Sequence, residues 1–262
     1  MRTPIVVVMV LALLAATVGC GASSSSDAPT GQASGGITVA AASDLRPAFE
    51  ELGSAFTAQT AIAVTFTFGS SGQLRQQIVN GAPFDLFASA NVAFAEEVIA
   101  SGRGVASTLA DYAVGRLVLW SPEGIQLPES VADLADPTYR RIAIANPRHA
   151  PYGVAAEQAL ASAGIADEVE GRLVVGENIS DTFEIVRSGN ADVGIVALSV
   201  AIANGGAYTL IPSQFHEPLR QALVVTSTGA AGEAATAFAG FVASAEGRTI
   251  MERYGFVLPG DR

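Results

Sequence analysis

Four short stretches of the chain carry residues able to do chemistry. They are Ala41-Ala42-Ser43-Asp44, Phe68-Gly69-Ser70-Ser71-Gly72, the loop from Asn146 through Pro147, Arg148, His149, Ala150, Pro151 and Tyr152 to Gly153, and Gly176-Glu177-Asn178-Ile179-Ser180-Asp181. Each follows an apolar or β-branched run and precedes an apolar-periodic stretch of helical spacing. A strand that stops at Ser or Gly and restarts as a helix aims unpaired backbone N–H groups at one point. The helix dipole adds partial positive charge there, so the arrangement suits an anion. Taken singly, the turns read as ordinary N-caps, with Asn178 and Ser180 as caps and Tyr152 as a core aromatic. Taken together, four helix N-termini furnished with hydroxyls or small residues describe a preorganised anion cage.

The elements that must position these turns alternate along the chain. Strand-like runs fall at 37–42, 63–68, 84–89, 113–120, 141–145, 172–176, 192–197, 207–211 and 221–226. Helical spacing falls at 45–58, 73–80, 92–101, 153–163, 181–188, 231–243 and 245–254, the last stopping at Tyr254-Gly255-Phe256. The alternation predicts an α/β architecture with largely parallel sheets and helices on their faces. Sheets of this kind bind ligands outside the carboxyl ends of their strands, where Ser43, Ser70 and Ser71 and the loops after Ala145 and Val175 fall. The run Leu117-Val118-Leu119-Trp120 reads either as an ordinary buried strand or as a crossing from one lobe to another.

Composition narrows the function classes. Half of the 262 residues are apolar and 15% are charged, as in a globular protein with a substantial core. The net charge is −11, and all 14 basic residues are Arg. That balance argues against nucleic acid and removes every lysine-based mechanism. It leaves an anionic ligand open, because oriented N–H dipoles hold anions inside a net-negative protein.

The N-terminus bears on compartment. Arg2 precedes an apolar run from Pro4 to Val18 that ends at Gly19-Cys20, followed by a Ser-rich stretch. The run is short for a membrane span and has the form of a signal peptide. Cys20, the single cysteine, excludes an intramolecular disulfide. Its setting resembles a bacterial lipobox, with Thr17 where that motif carries Leu, Val or Ile. The expectation is a signal peptide over 1–19, lipidation at Cys20, and a flexible tether over 20–36 that leaves the domain in the aqueous phase.

Several segments resemble the periplasmic molybdate-binding proteins of ABC transporters. They are Ile37-Thr-Val-Ala-Ala-Ala-Ser-Asp-Leu45, Phe68-Gly-Ser-Ser-Gly-Gln-Leu74, Gln77-Ile-Val-Asn-Gly-Ala-Pro-Phe-Asp-Leu-Phe-Ala-Ser-Ala90, Val114-Gly-Arg-Leu-Val-Leu-Trp-Ser121, Ile142-Ala-Ile-Ala-Asn-Pro-Arg-His-Ala-Pro-Tyr-Gly153 and Ala191-Asp-Val-Gly-Ile-Val-Ala-Leu198. The resemblance spans roughly 37–258 and is nearest to the branch carrying Ala-Pro-Tyr-Gly. It implies a two-lobed periplasmic-binding-protein type II fold with the ligand cleft between the lobes, lobe 1 being 37–113 plus 219–262 and lobe 2 being 114–218. The implied function is capture of molybdate, with tungstate as a second candidate, and delivery to an ABC-type permease with its cytoplasmic ATPase. A monomer suits such a receptor, and no resident cofactor is implied.

Carried across, the family's ligand contacts are the hydroxyls and adjacent N–H groups of Ser43 and Ser71, with backbone N–H donors at Asp44, Tyr152 and Ile179. All are contacts to the oxygens of an oxyanion and none to a bare cation. The chemistry agrees: molybdate is a fully deprotonated dianion at neutral pH, so a site made only of donors recognises it. Buried hydrogen bonds to a charged group contribute roughly 1.5–3 kcal/mol each, so five to seven hold a dianion without Arg or Lys. Two positions depart from the family pattern. Asp44 stands where relatives carry Ser or Asn, and a carboxylate aimed at a dianion is costly, so Asp44 is expected to turn outward and cap its helix. Ala197 stands where some relatives place a contacting Tyr.

The same residues admit other functions. A receptor for sulfate or phosphate is the nearest alternative, and an inward Asp44 would favour phosphate, whose residual proton needs an acceptor. Iron-binding relatives of this architecture use paired tyrosines, and no adjacent pair occurs here. A serine-type hydrolase would need a triad such as Ser71, His149 and Asp85, but the Gly-x-Ser-x-Gly spacing is absent. A signalling module that presents the loaded form to a membrane sensor is a third class. His149 is expected to be solvent-exposed, Asp85 to order its neighbouring loop, and Arg148 to guard the entrance electrostatically.

Overall fold

The computed structural model describes residues 35–260, so the expected signal segment, Cys20 and most of the tether lie outside the described residues. These described residues belong to one compact unit. In chain order its elements are β1 (Ile37–Ala42), α1 (Arg46–Thr60), β2 (Val64–Gly69), α2 (Ser71–Val79), β3 (Leu86–Ser89), α3 (Val92–Ala100), β4 (Ala110–Gly115), β5 (Leu117–Trp120), β6 (Ile142–Ala145), α4 (Pro151–Ser162), α5 (Ala166–Val169), β7 (Leu173–Gly176), α6 (Ile179–Arg187), β8 (Val193–Ala197), α7 (Leu198–Asn204), β9 (Tyr208–Leu210), β10 (Leu219–Val225), α8 (Gly232–Val242) and α9 (Ala245–Arg253).

Local rules explain the elements that bear on the turns. Helix α1 has Pro47 in its first turn and ends at Ala61, which takes a left-handed φ of 59°. Between these ends Phe49, Leu52 and Phe56 recur on one face and are buried. Helices α2 and α6 start on side-chain caps: Ser70 accepts from the Gln73 N–H, and Asn178 from the Asp181 N–H. Strands β3, β5, β6 and β8 are buried along their whole length, which is why they read as unbroken apolar runs.

The strands form two five-stranded sheets, ordered β2-β1-β3-β10-β4 and β7-β6-β8-β5-β9. The two orders are equivalent. In each, three strands pair in parallel, and a strand from elsewhere in the chain then inserts antiparallel (β10 in the first sheet, β5 in the second). The expectation of largely parallel sheets is thereby corrected: the outer pairings β10–β4 and β5–β9 are antiparallel as well. The run 113–120, read as one strand, is two. It breaks at Arg116, with β4 in the first sheet and β5 in the second. This is the lobe crossing that the sequence left open.

Large aromatics fill the first lobe. Phe238 packs edge-on against Phe49 and Phe56, with ring centroids 6.2 and 5.2 Å apart, and Phe66 joins them. In the second lobe Trp120 packs on Phe183 at 4.6 Å and donates its indole N–H to the Gly205 carbonyl. Helix α7 was not expected. Its residues Leu198–Asn204 are almost all apolar, as an extended strand would be, and four of them are buried.

Candidate ligand-binding cleft

The carboxyl ends of β1 and β2 in the first sheet face those of β6 and β7 in the second across a small, narrow cleft. Its lining includes Ser43, Asp44, Ser70, Ser71, Ala90, Ala150, Pro151, Tyr152, Asn178 and Ile179. All five residues singled out from the sequence as ligand contacts (Ser43, Asp44, Ser71, Tyr152, Ile179) thus meet at one place. No Arg, Lys or His is in the lining.

The donors are arranged by the elements that carry them. Ser71 opens α2, Pro151-Tyr152 opens α4 and Ile179 opens α6, so the N–H groups of these first turns have no acceptor within their own helix. Pro151, which has no N–H to leave unpaired, fixes the first turn of α4. Gly153 follows because nothing larger fits: a Cβ there would lie 2.2 Å from the Ala145 carbonyl oxygen. The two hydroxyls are held the same way. Ser71 Oγ accepts the Ala90 N–H at 3.0 Å, and Ser43 Oγ accepts the Ser180 N–H at 3.4 Å. With a backbone donor on its oxygen, each hydroxyl keeps its own proton to donate. Both side chains are buried.

Contacts between the two sides hold the cleft shut. The Gly72 N–H donates to the His149 carbonyl at 2.9 Å, and Ser70 Oγ lies 2.8 Å from His149 Nδ1. Gln73 donates to Glu177 at 3.0 Å, and His149 Nε2 stands 3.5 Å from the same carboxylate. The Ser180 hydroxyl donates to the Ser43 carbonyl. His149 is therefore not the exposed turn residue expected. Its side chain is 19% exposed because the rim closes around it. No triad forms. His149 meets Ser70 rather than Ser71, while Asp85 accepts from Thr38 and the Ala231 N–H and so ties β1 to the start of α8. Arg148 folds onto its own loop through Asn146.

Asp44 departs furthest from expectation. It does not turn outward, and α1 has no side-chain cap. The residue is 1% exposed, and its carboxylate accepts from Gln221 Nε2 at 2.6 Å and from Tyr152. Gln221 in turn accepts the Tyr112 hydroxyl proton at 3.0 Å and donates to Tyr152 Oη at 3.3 Å. The reason is geometric. Residues 43–45 form a tight 3₁₀ turn ahead of α1, so residue 44 faces inward beneath β10 and α4. Burial pushes the Asp44 carboxyl up to about 6, against the lowering effect of hydrogen bonds from Gln221, Tyr152 and its own N–H. The same burial, with Asp44 beside them, raises the Tyr152 and Tyr112 phenols well above their ordinary value. Tyr112 and Gln221 were missed from sequence. The available signal was a Gln in the run Leu219–Val225, where Gln221 is fully buried while its neighbour Arg220 is exposed.

Two sheets of equivalent strand order, joined by crossing strands and closing on a donor-lined cleft, define a binding protein of the periplasmic type II class. The family model for bacterial extracellular solute-binding proteins matches residues 37–257. The chain belongs to that family, in its ModA-like group. It is 37% identical to the molybdate-binding protein ModA of Rhodobacter capsulatus over 226 residues, covering 86% of this chain and 89% of that one. The structure of the Azotobacter vinelandii periplasmic molybdate-binding protein superimposes with a TM-score of 0.79 at 33% identity, covering 85% of this chain and 99% of that one. A putative ABC transporter substrate-binding lipoprotein of Bacillus subtilis is 25% identical over 95% of this chain and 96% of its own length.

Proposed function

We propose that this protein is the extracytoplasmic receptor of an ABC transporter that captures molybdate, or tungstate, in the cleft and delivers it to a permease driven by a cytoplasmic ATPase. The observation that carries this reading is the pairing of Ser43 and Ser71 with backbone N–H donors, which leaves both hydroxyl protons free to donate in a cleft with no cation. The ligand contacts in this reading are those two hydroxyls and the N–H groups of Asp44, Tyr152 and Ile179. The protein binds rather than transforms its ligand, needs no resident cofactor and works as a monomer. Lobe 1 comprises 37–113 with 219–262, and lobe 2 comprises 114–218. Residues 1–19 are a signal peptide, and lipidated Cys20 with the tether to residue 36 holds the domain at the membrane. Similarity to a lipoprotein over nearly the whole chain supports that last point.

A second reading has one observation in its favour. The inward Asp44 offers an acceptor for the residual proton of hydrogen phosphate. Against it, the carboxylate already accepts from Gln221 and Tyr152. Thermal unfolding with molybdate, tungstate, sulfate and phosphate in turn separates the readings. A ligand at 100 times its Kd stabilises by about 2.7 kcal/mol. A shift with molybdate and tungstate alone is expected. A shift with phosphate alone selects the second reading, and no shift with any of the four removes both.

A further inference from the structure

A buried carboxyl group lies beneath the cleft proposed to take a dianion, held by Gln221 behind its wall. Asp44 sits in the lining, 1% exposed. No cation stands near to neutralise it. On α1, Arg46 lies over the Phe68 ring and pairs with Glu50 at the surface. On α6, Asp181 accepts the Glu177 N–H, and Glu184 pairs with Arg187. Helix α7 presents Ser199, whose hydroxyl donates to the Asp44 carbonyl, and has no ionisable side chain. From β10 comes neutral Gln221. The ionisable groups that reach the carboxyl are the Tyr152 and Tyr112 phenols, from α4 and β4, and burial keeps both protonated.

An ionised Asp44 and a dianion in one desolvated cleft would repel strongly, since like charges in a low-dielectric site disfavour joint ionisation. Protonation of Asp44 removes the conflict. Resting on the receptor reading, we propose that oxyanion capture takes up one proton, which resides on the Asp44 carboxyl in the loaded cleft. Burial already favours this, because it raises the Asp44 carboxyl to about 6. By linkage the ligand raises that value further, and affinity falls with rising pH between the free and loaded values. The proton comes from bulk water, and no bond to the oxyanion is made or broken.

The test is calorimetric titration of the whole protein with sodium molybdate at pH 7 to 8 in buffers of different ionisation enthalpy. Uptake close to one proton per molybdate is expected, with Kd weakening about tenfold per pH unit above 6.5. Asp44→Asn should abolish the uptake and flatten the pH dependence, binding about 100-fold tighter than the parent at pH 8. His149→Gln should leave the uptake in place. Molybdate binding without proton exchange in the parent protein overturns this proposal and spares the receptor reading. Uptake that survives Asp44→Asn and vanishes in His149→Gln also overturns it. Absence of binding at every pH removes the receptor reading, and this proposal with it.

Discussion

At the residue scale, the cleft works by occupying acceptors so that donors are left over. Ser71 shows this best, because its oxygen takes the Ala90 N–H and its proton has nowhere to go except the cleft. Ser71→Ala should therefore weaken molybdate binding by roughly 1.5–3 kcal/mol, read by titration calorimetry. Unchanged affinity would take Ser71 out of the site. Asp44 makes a prediction about stability without ligand. Its folded value of about 6 is raised above the ordinary 3.8. The folded state then binds the proton more tightly than the unfolded chain. Its contribution is fully present below about pH 4 and is lost as pH rises through 6. Relative to Asp44→Asn, the parent should lose about 3 kcal/mol of unfolding free energy between these limits, measured by denaturant titration across pH. A constant difference would mean that the carboxyl is not desolvated. The candidate residues themselves were legible because each sits at a strand end beside a helix start. Asp44's orientation was not. An Asp before a helix reads as a cap, and only the 3₁₀ turn, which is a matter of backbone geometry, sends it inward.

At the element scale, the site depends on how closely helix starts approach strand ends. Gly153 marks a close approach of α4 to the Ala145 carbonyl. Gly153→Ala should displace the start of α4 together with the Tyr152 N–H. The expected cost is about 1–3 kcal/mol of stability, accompanied by weaker oxyanion binding, with thermal unfolding and calorimetry as the paired readouts. A fully stable variant of parental affinity would show that α4 has slack there. Most elements were legible from alternation and helical period, since β1, β6 and β8 are buried runs between amphipathic helices. Strand direction was less so. Antiparallel β5 is as apolar and as buried as its neighbour β8, because both faces of the sheet are covered there. The break at Arg116 was hidden because the largely buried end of β4 runs on into buried β5 with a single residue between them. Gln221 is the counterexample: a single amide in an apolar strand belongs to a network spanning β4, β10 and α4.

At the scale of the whole molecule, both sheets point strand ends at one cleft, and contacts such as Gly72 with His149 and Gln73 with Glu177 join its two walls. We propose closure about the crossing strands as the mode of capture, with these contacts as the closed form. Solution scattering should show a smaller radius of gyration with saturating molybdate, and identical profiles would argue for a rigid cleft. The central claim is that neutral donors from both lobes hold a tetrahedral oxyanion. A crystal structure of the protein with molybdate, with anomalous differences collected at the molybdenum edge, tests it most directly. One dominant peak is expected in the cleft, with the oxyanion oxygens within hydrogen-bond distance of Ser43 Oγ, Ser71 Oγ and the Asp44, Tyr152 and Ile179 N–H groups. A peak elsewhere, or a cleft that stays empty at saturating molybdate, would contradict it.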